Sequence, residues 1–255
     1  MRIIISPAKK MITDTDSLDV QEMPRFLQEA QQLLAALWAM PPQALQKLWG
    51  VNDKLAALTL RRLEEMELSR NLTPAILAYE GIQYQYMAPG ALLDSELAYL
   101  QRHLRVVSGF YGLLRPFDGV VPYRLEMQAR LAVGGHKDLY DFWGDKLARQ
   151  LAEETDLVVN LASQEYSRAI TRQLPPGVGV LTCTFGQLAG GRVVEKGTLC
   201  KMARGEMVRY LAQRQITRRE EIQGFDRLGY TYSKEHSTEE NHVFIKGDDN
   251  HVEGW

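Results

Sequence analysis

Cysteine is scarce in this sequence, which contains only Cys183 and Cys200 and has no C-x-x-C pair. Without that spacing the sequence offers neither a zinc ribbon nor a dithiol redox site, and both thiols are expected to stay reduced. A signal-peptide core is also missing, and no apolar run approaches the roughly 20 residues that span a bilayer. These absences predict a cytoplasmic protein that has no membrane partner.

Motifs that identify several enzyme classes are missing too. The chain has no glycine-rich dinucleotide fingerprint, no phosphate loop and no G-x-S-x-G nucleophile elbow. Its five histidines are His103, His136, His236, His242 and His251. They lack the i, i+4 pairing and the nearby carboxylates that a transition-metal site requires. The sequence therefore predicts no metal site and no cofactor.

Neither sign of charge dominates, since the formal net charge is −2, and any site for a polyanion has to be local. The distribution along the chain is nevertheless uneven. Residues 101–130 contain five arginines and two acids, and residues 196–219 contain seven cations and one acid. The last 25 residues reverse this pattern, with six acids and two lysines. The two basic segments are candidates for binding an anion, although solvated helix faces would have the same composition.

The spacing of apolar residues predicts interspersed helices and strands. Residues 2–5 and 157–161 have the composition of buried strands, and helical spacing runs over 24–38 and about 198–213. With 45% apolar residues the chain can bury a full core, so residues 1–255 are expected to form a single compact domain. The predicted fold class is α/β, in the mixed α+β sense, with a central mixed sheet and surrounding helices.

A hairpin-like block, Ser108–Pro116, follows a third predicted helix that extends to Val107. Gly109 and Gly112 would allow a tight turn whose backbone N–H groups converge outward on a phosphate. The alternative is that Gly109 ends the helix and Gly112 allows tight packing. The candidate DNA- or anion-binding residues combine the hairpin with nearby arginines and two cations of the later basic segment. They are Arg102, Arg105, Ser108, Gly109, Tyr111, Gly112, Arg115, Lys201 and Arg204.

A second candidate site combines polar residues, several of which follow predicted strands. Open sheets bind ligands at the carboxyl ends of their strands, where acids and bases that converge shift one another's pKa and can support proton transfer. The candidate catalytic residues are Lys9, Arg124, Glu126, Asn160, Glu165 and Lys201, with Ser163, Tyr166 and Arg204 beside them. The alternative is a set of separate ion pairs, such as Arg124 with Glu126 on one strand face.

Seven short motifs run in order along nearly the whole chain. They are Ile5-Ser6-Pro7-Ala8-Lys9, Asp53-Lys54-Leu55-Ala56, Ser108-Gly109-Phe110-Tyr111-Gly112-Leu113-Leu114-Arg115-Pro116-Phe117-Asp118, Pro122-Tyr123-Arg124-Leu125-Glu126-Met127, Phe142-Trp143, Asn160-Leu161-Ala162-Ser163-x-Glu165-Tyr166 and Ala203-Arg204-Gly205. This ordered set resembles the YaaA family of bacterial peroxide-stress proteins. One departure is Met202, where relatives are expected to have a second basic residue beside Lys201.

The resemblance implies a cytoplasmic bacterial protein of the peroxide response that is linked to limiting free iron and DNA damage. It also implies an α/β fold with a positively charged cleft and a helix-hairpin-helix element, which maps here to the helix ending near Val107 and to Ser108–Gly112. No catalysed reaction and no protein partner follow from it. The leading hypothesis is DNA binding without strong sequence preference. The alternative is an enzyme that acts on an anionic or phosphorylated small molecule.

Overall fold

The protein is built around a mixed β-sheet. The computed structural model describes residues 1–247, and the part of the predicted domain after Gly247 lies outside that description. The strands are β1 (Arg2–Ile5), β2 (Lys10–Met11), β3 (Thr73–Pro74), β4 (Tyr79–Glu80), β5 (Leu104–Ser108), β6 (Gly112–Leu114), β7 (Gly119–Val120), β8 (Leu157–Leu161), β9 (Gly179–Ala189), β10 (Arg192–Val194), β11 (Tyr230–Tyr232) and β12 (Asn241–Lys246).

The central sheet has eight strands in the order β11-β12-β9-β8-β1-β5-β6, with β10 also paired to β9. Strands β12, β9, β8, β1 and β5 run parallel, whereas β6 and β11 are antiparallel to their neighbours at the two edges. Strand β1 is near the centre, and Ile3, Ile4 and Ile5 are completely buried. The predicted mixed α/β fold with a central mixed sheet is therefore confirmed.

Helices surround this sheet and account for most of the remaining regular structure. They are α1 (Leu27–Trp38), α2 (Pro42–Trp49), α3 (Asp53–Glu64), α4 (Ala75–Ala78), α5 (Ile82–Met87), α6 (Asp94–His103), α7 (Leu139–Trp143), α8 (Lys146–Glu154), α9 (Gln164–Thr171) and α10 (Gly197–Arg214). Short 3₁₀ helices form at Pro89–Ala91 and Arg219–Gly224. Among the described residues, no helix is long and apolar enough to cross a membrane.

Local sequence explains the helical unit formed by α1, α2 and α3. Helix α1 buries Leu33, Leu34 and Leu37 of the apolar stripe that predicted it, whereas Trp38 is exposed. Pro42 begins α2 at a position where a missing N–H costs nothing. The side chain of Asn52 accepts a hydrogen bond of 3.0 Å from the backbone N–H of Leu55, which caps α3. These signals are local, and the structure follows them.

The segment from Leu104 to Leu114 requires a correction. Helix α6 ends at His103, and the residues predicted to continue it form β5, which pairs with β1 on one side and with β6 on the other. The pairing of Ser108 with Gly112 closes a strand–turn–strand, so the predicted helix-hairpin-helix is wrong at this position. Strand β5 is buried along its whole length, and a buried strand has no polar face to distinguish it from a helix in the sequence.

Helix α10 packs against α5 at unusually close range, and a glycine makes this possible. A Cβ atom added to Gly205 would lie 2.1 Å from the carbonyl oxygen of Gln83 and 2.9 Å from the Cβ of Tyr86. Neither atom is the end of a flexible side chain, so the two helices would have to separate. Gly205 therefore determines how near α10 comes to α5.

We expect Gly205→Ala to lower the free energy of unfolding by about 1–3 kcal/mol, because it overpacks a backbone contact. The measurement is urea-induced unfolding followed by circular dichroism. Gly197→Ala is the matched control, since it lies on the same helix with no atom within 4 Å of the added Cβ. The control should be neutral or slightly stabilising, and equal destabilisation of both variants would contradict this account of the packing.

Candidate functional site

A cleft of about 420 Å³ lies where β1 and β8 end. The two strands are parallel neighbours, with Ile5 opposite Leu161, so the residues that follow them meet at one edge of the sheet. The backbone N–H of Ser163 donates a 2.8 Å hydrogen bond to Oγ of Ser6, and this Oγ lies 3.2 Å from that of Ser163. The ends of β1 and β8 therefore bring Ser6 and Ser163 together at the cleft.

Helix α5 forms another wall of this cleft, which we call the strand-end cleft. The hydroxyl of Tyr84 donates a 3.0 Å hydrogen bond to the carbonyl oxygen of Ser6, and Nε2 of Gln83 donates a 3.3 Å hydrogen bond to that of Leu161. These bonds tie α5 directly to the ends of β1 and β8. The close α10–α5 contact at Gly205 thus places α10 against the same cleft.

Helix α10 contributes Lys201 and Arg204, which both line the strand-end cleft. Residues three apart share one face of a helix, so the spacing alone directs both cations the same way. Lys201 is exposed, whereas the side chain of Arg204 is only 17% exposed and lies 3.8 Å from Glu195. The Nε atom of Arg204 is buried and makes no hydrogen bond.

Lys9 links the strand-end cleft to a neighbouring ion-pair group. Its Nζ lies 2.9 Å from Oε2 of Glu126, and Oε1 of Glu126 lies 3.5 Å from Nη2 of Arg124. That second contact lacks hydrogen-bond geometry, and both Oε1 of Glu126 and Nε of Arg124 are buried without a hydrogen-bond partner. Lys9, Arg124 and Glu126 therefore form one connected group with unused polar atoms.

Glu165 is the carboxylate of the cleft whose proton affinity changes most clearly. Burial raises the pKa of Glu165 above its usual range, and the nearby charge of Glu126 acts in the same direction. A hydrogen bond from the backbone N–H of Gln128 and the charges of Lys9 and Arg168 oppose the rise. Burial, with a smaller contribution from the charge of Glu126, thus makes protonation of Glu165 easier, which suits a group that exchanges protons.

The charges lining the strand-end cleft favour an anion. The lining contains the cations Lys9, Lys10, Lys201 and Arg204 and two acids, Glu80 and Glu165. Lys10 lies 2.7 Å from Glu80, and Lys9 and Arg204 also have carboxylates nearby, in Glu126 and Glu195, whereas Lys201 adds an exposed cation. A phosphate or carboxylate group in this cleft would find charge complementarity and unused N–H donors.

Asn160 does not line the strand-end cleft. Its Oδ1 accepts a 3.0 Å hydrogen bond from the backbone N–H of Ala162, and its Nδ2 donates a 3.3 Å hydrogen bond to Oγ1 of Thr182. Both contacts shape the turn that leaves β8 and its pairing with β9. Asn160 therefore supports the geometry of the cleft from within the sheet.

The predicted anion-binding hairpin is buried. Ser108 and Tyr111 are 0% exposed, and Gly109 and Gly112 are buried with them. The hydroxyl of Ser108 accepts the backbone N–H groups of Phe110 and Tyr111, at 3.1 and 2.9 Å. Two N–H groups of the turn are therefore bonded to the hairpin's own serine rather than facing outward, and these residues form core.

The three arginines near the hairpin do not form one site, and none of them lines the strand-end cleft. Arg105 is only 4% exposed and forms an ion pair with Glu154. Arg115 pairs with Glu22, and its backbone N–H donates a 2.8 Å hydrogen bond to Asp118. Arg102 is exposed on α6 and lines a different depression. Of the predicted DNA- and anion-binding residues, the strand-end cleft brings together Lys201 and Arg204.

Several residues of the cleft were missed by reasoning from the sequence. Lys10 and Glu80 are brought together by the pairing of two-residue strands β2 and β4, which leave no recognisable pattern in the sequence. Gln83 and Tyr84 lie on α5, a helix of six residues. Ser6 was the one with a detectable signal, because it directly follows a predicted strand. Within residues 1–247, no group of three or more His, Cys, Asp or Glu side chains could hold a metal ion.

Comparison with known proteins identifies relatives over the full length of the chain. The family model described as peroxide stress protein YaaA matches residues 1–236. A UPF0246 protein of Lachnoclostridium phytofermentans is 50% identical over 250 residues, which cover 98% of each chain. UPF0246 proteins of Desulfitobacterium hafniense and Pediococcus pentosaceus are 49% and 48% identical, over 96% and 97% of this chain and 98% and 99% of theirs. These matches confirm the resemblance drawn from the seven motifs, and the chain belongs to the peroxide stress protein YaaA family.

Proposed function

We propose that this peroxide-stress family protein binds a phosphorylated or otherwise anionic small molecule in the strand-end cleft. The observation that carries the proposal is Arg204, a mostly buried cation whose Nε has no hydrogen-bond partner in a cleft that Lys201 and Lys9 also line. Buried polar groups are normally hydrogen-bonded, so an unpartnered donor beside an open cleft supports a ligand there. A cleft of about 420 Å³ suits a small molecule.

Acid–base chemistry on the bound anion is the enzymatic form of this proposal. Lys9, Arg124 and Glu126 form one ion-pair group beside the cleft, and Glu165 has a raised pKa there. Lys201 would hold the anionic group, and Glu165 would exchange a proton with the ligand.

The first test uses inorganic pyrophosphate as the probe, with binding measured by isothermal titration calorimetry. We expect Arg204→Ala to weaken binding about tenfold or more, because a hydrogen bond to a charged group contributes about 1.5–3 kcal/mol. Lys201→Ala should have a smaller effect, since its side chain is exposed. Arg214→Ala is the matched control on the last turn of α10, outside the cleft. Absence of binding by the unmodified protein, or an equal loss in the control, would refute the proposal.

DNA binding without strong sequence preference, the leading hypothesis from the sequence, is the second candidate function. It is favoured by the exposed lysines at the mouth of the cleft, where the side chains of Lys9 and Lys10 are 64% and 71% exposed and Lys201 is also exposed. These lysines replace the buried hairpin as the proposed contact with the phosphate backbone. Such contacts supply affinity and salt dependence but carry no base specificity.

The DNA hypothesis predicts binding that weakens steeply with salt and varies little between two unrelated duplexes of equal length. Fluorescence anisotropy over a series of salt concentrations measures both properties. Lys10→Ala should lower the slope of log affinity against log salt by about one, because one phosphate contact is lost. Lys47→Ala, an exposed lysine on α2, should leave the slope unchanged. Salt-insensitive binding, or no binding to either duplex, would contradict the hypothesis.

Three further expectations belong to the proposal. They are a cytoplasmic location, a link to limiting free iron and a link to limiting DNA damage. The peroxide-stress description of the family supports them, because iron and peroxide react to form radicals that damage DNA. A ligand-binding protein can serve this response without holding iron itself.

A further inference from the structure

A second cavity lies beside the strand-end cleft and has a different character. It has a volume of about 320 Å³ and is enclosed by α1, α2, α3, β2 and the segment 122–124. We call it the apolar chamber. Its walls are formed mainly by Met11, Leu37, Trp49, Leu55, Leu63 and Met66. Such a lining favours an apolar body over a second phosphate.

The same chamber is bordered by cations. Lys9, Lys10, Arg62 and Arg124 all line it. Lys9 and Arg124 contact Glu126, and Lys10 contacts Glu80, but neither acid lines the chamber. Within residues 1–247, Arg62 has no carboxylate within 4.0 Å. An apolar cavity with a cationic border is complementary to a molecule that joins an apolar body to an anionic group.

Two buried N–H donors in the lining have no partner. They are Nε1 of Trp49 and Nε of Arg124. Trp49 is only 6% exposed, so water does not reach its indole freely. Indole N–H groups usually find an acceptor when they are buried. An aromatic π face or a ring acceptor can satisfy such donors, whereas a saturated hydrocarbon chain cannot.

The chamber and the strand-end cleft are adjacent, because Lys9 and Lys10 line both. We propose that the ligand is an aromatic phosphate monoester. This inference rests on the proposed function and on the adjacency of the two cavities. Its phosphate lies in the strand-end cleft beside Arg204 and Lys201, and its ring enters the apolar chamber beneath Trp49. The ring supplies the apolar body that the chamber fits, and the phosphate supplies the charge that the cations fit.

The test compares 1-naphthyl phosphate with methyl phosphate, since both are phosphate monoesters and only one carries an aromatic ring. Binding to the full chain is measured by calorimetry. We expect 1-naphthyl phosphate to bind at least ten times more tightly than methyl phosphate. The indole N–H signal of Trp49, assigned by its loss in Trp49→Phe, should shift in NMR spectra with 1-naphthyl phosphate but not with methyl phosphate.

Variants separate the two cavities. Leu58→Glu adds a charge at an exposed position that lines the chamber. It should lower the ratio of the affinity for 1-naphthyl phosphate to the affinity for methyl phosphate at least fivefold. Leu188→Glu, at an exposed leucine outside both cavities, should leave the ratio unchanged. Arg204→Ala should weaken both ligands alike, because it acts on the phosphate.

The outcomes distinguish failure of this inference from failure of the proposed function. Equal affinity for the two esters, each weakened by Arg204→Ala, would overturn the inference and leave the proposed function intact. If Arg204→Ala does not weaken the binding of 1-naphthyl phosphate, two claims fail together: that one ligand occupies both cavities, and that the strand-end cleft binds its phosphate. Affinity lost equally in Leu58→Glu and Leu188→Glu would overturn the assignment of the chamber.

Discussion

The parallel pairing of β1 with β8 and β5 is the constraint on which the rest of the structure depends. Strand β1 is short, but Ile3, Ile4 and Ile5 are fully buried and its neighbours on both sides are parallel. Because parallel strands end at the same edge, the chain after β1 and the chain after β8 must leave the sheet together. The hydrogen bonds between Ser6 and Ser163 follow from this register, and the strand-end cleft opens there.

Close helix packing adds helical walls to that sheet edge and so forms the strand-end cleft. Helix α5 is bonded to the ends of β1 and β8 through Tyr84 and Gln83, and α10 approaches α5 at Gly205. The approach brings Lys201 and Arg204 to the cleft although they are far in sequence from its other residues. A site of this kind depends on the absence of a side chain at Gly205 as much as on the charged residues themselves.

Position at the cleft, rather than local charge density, separates the cations that can serve a ligand from those that support the fold. The basic segment at residues 101–130 contains Arg105 and Arg115, and both are committed to carboxylates of other elements. Arg204 of the second basic segment also contacts a carboxylate, Glu195, and has an unpartnered Nε as Arg105 does, but it lines the strand-end cleft. Composition predicted both segments equally, because a sequence records charges but not the partners that neutralise them.

The sequence by itself determined the family and the mixed α/β class, and it indicated some of the residues that line the strand-end cleft. Motif order, apolar spacing and polar residues after strands are local properties. Of the candidate residues that they indicated, Lys9, Glu165 and Arg204 line the cleft, whereas Asn160 does not. Only the tertiary structure decided that residues 104–108 form a strand. A helical stripe and a fully buried strand have similar apolar composition, and pairing with β1 is what favours the strand. It also decided that the hairpin is core and that Lys10 and Glu80 face the cleft, since these outcomes depend on contacts between distant segments.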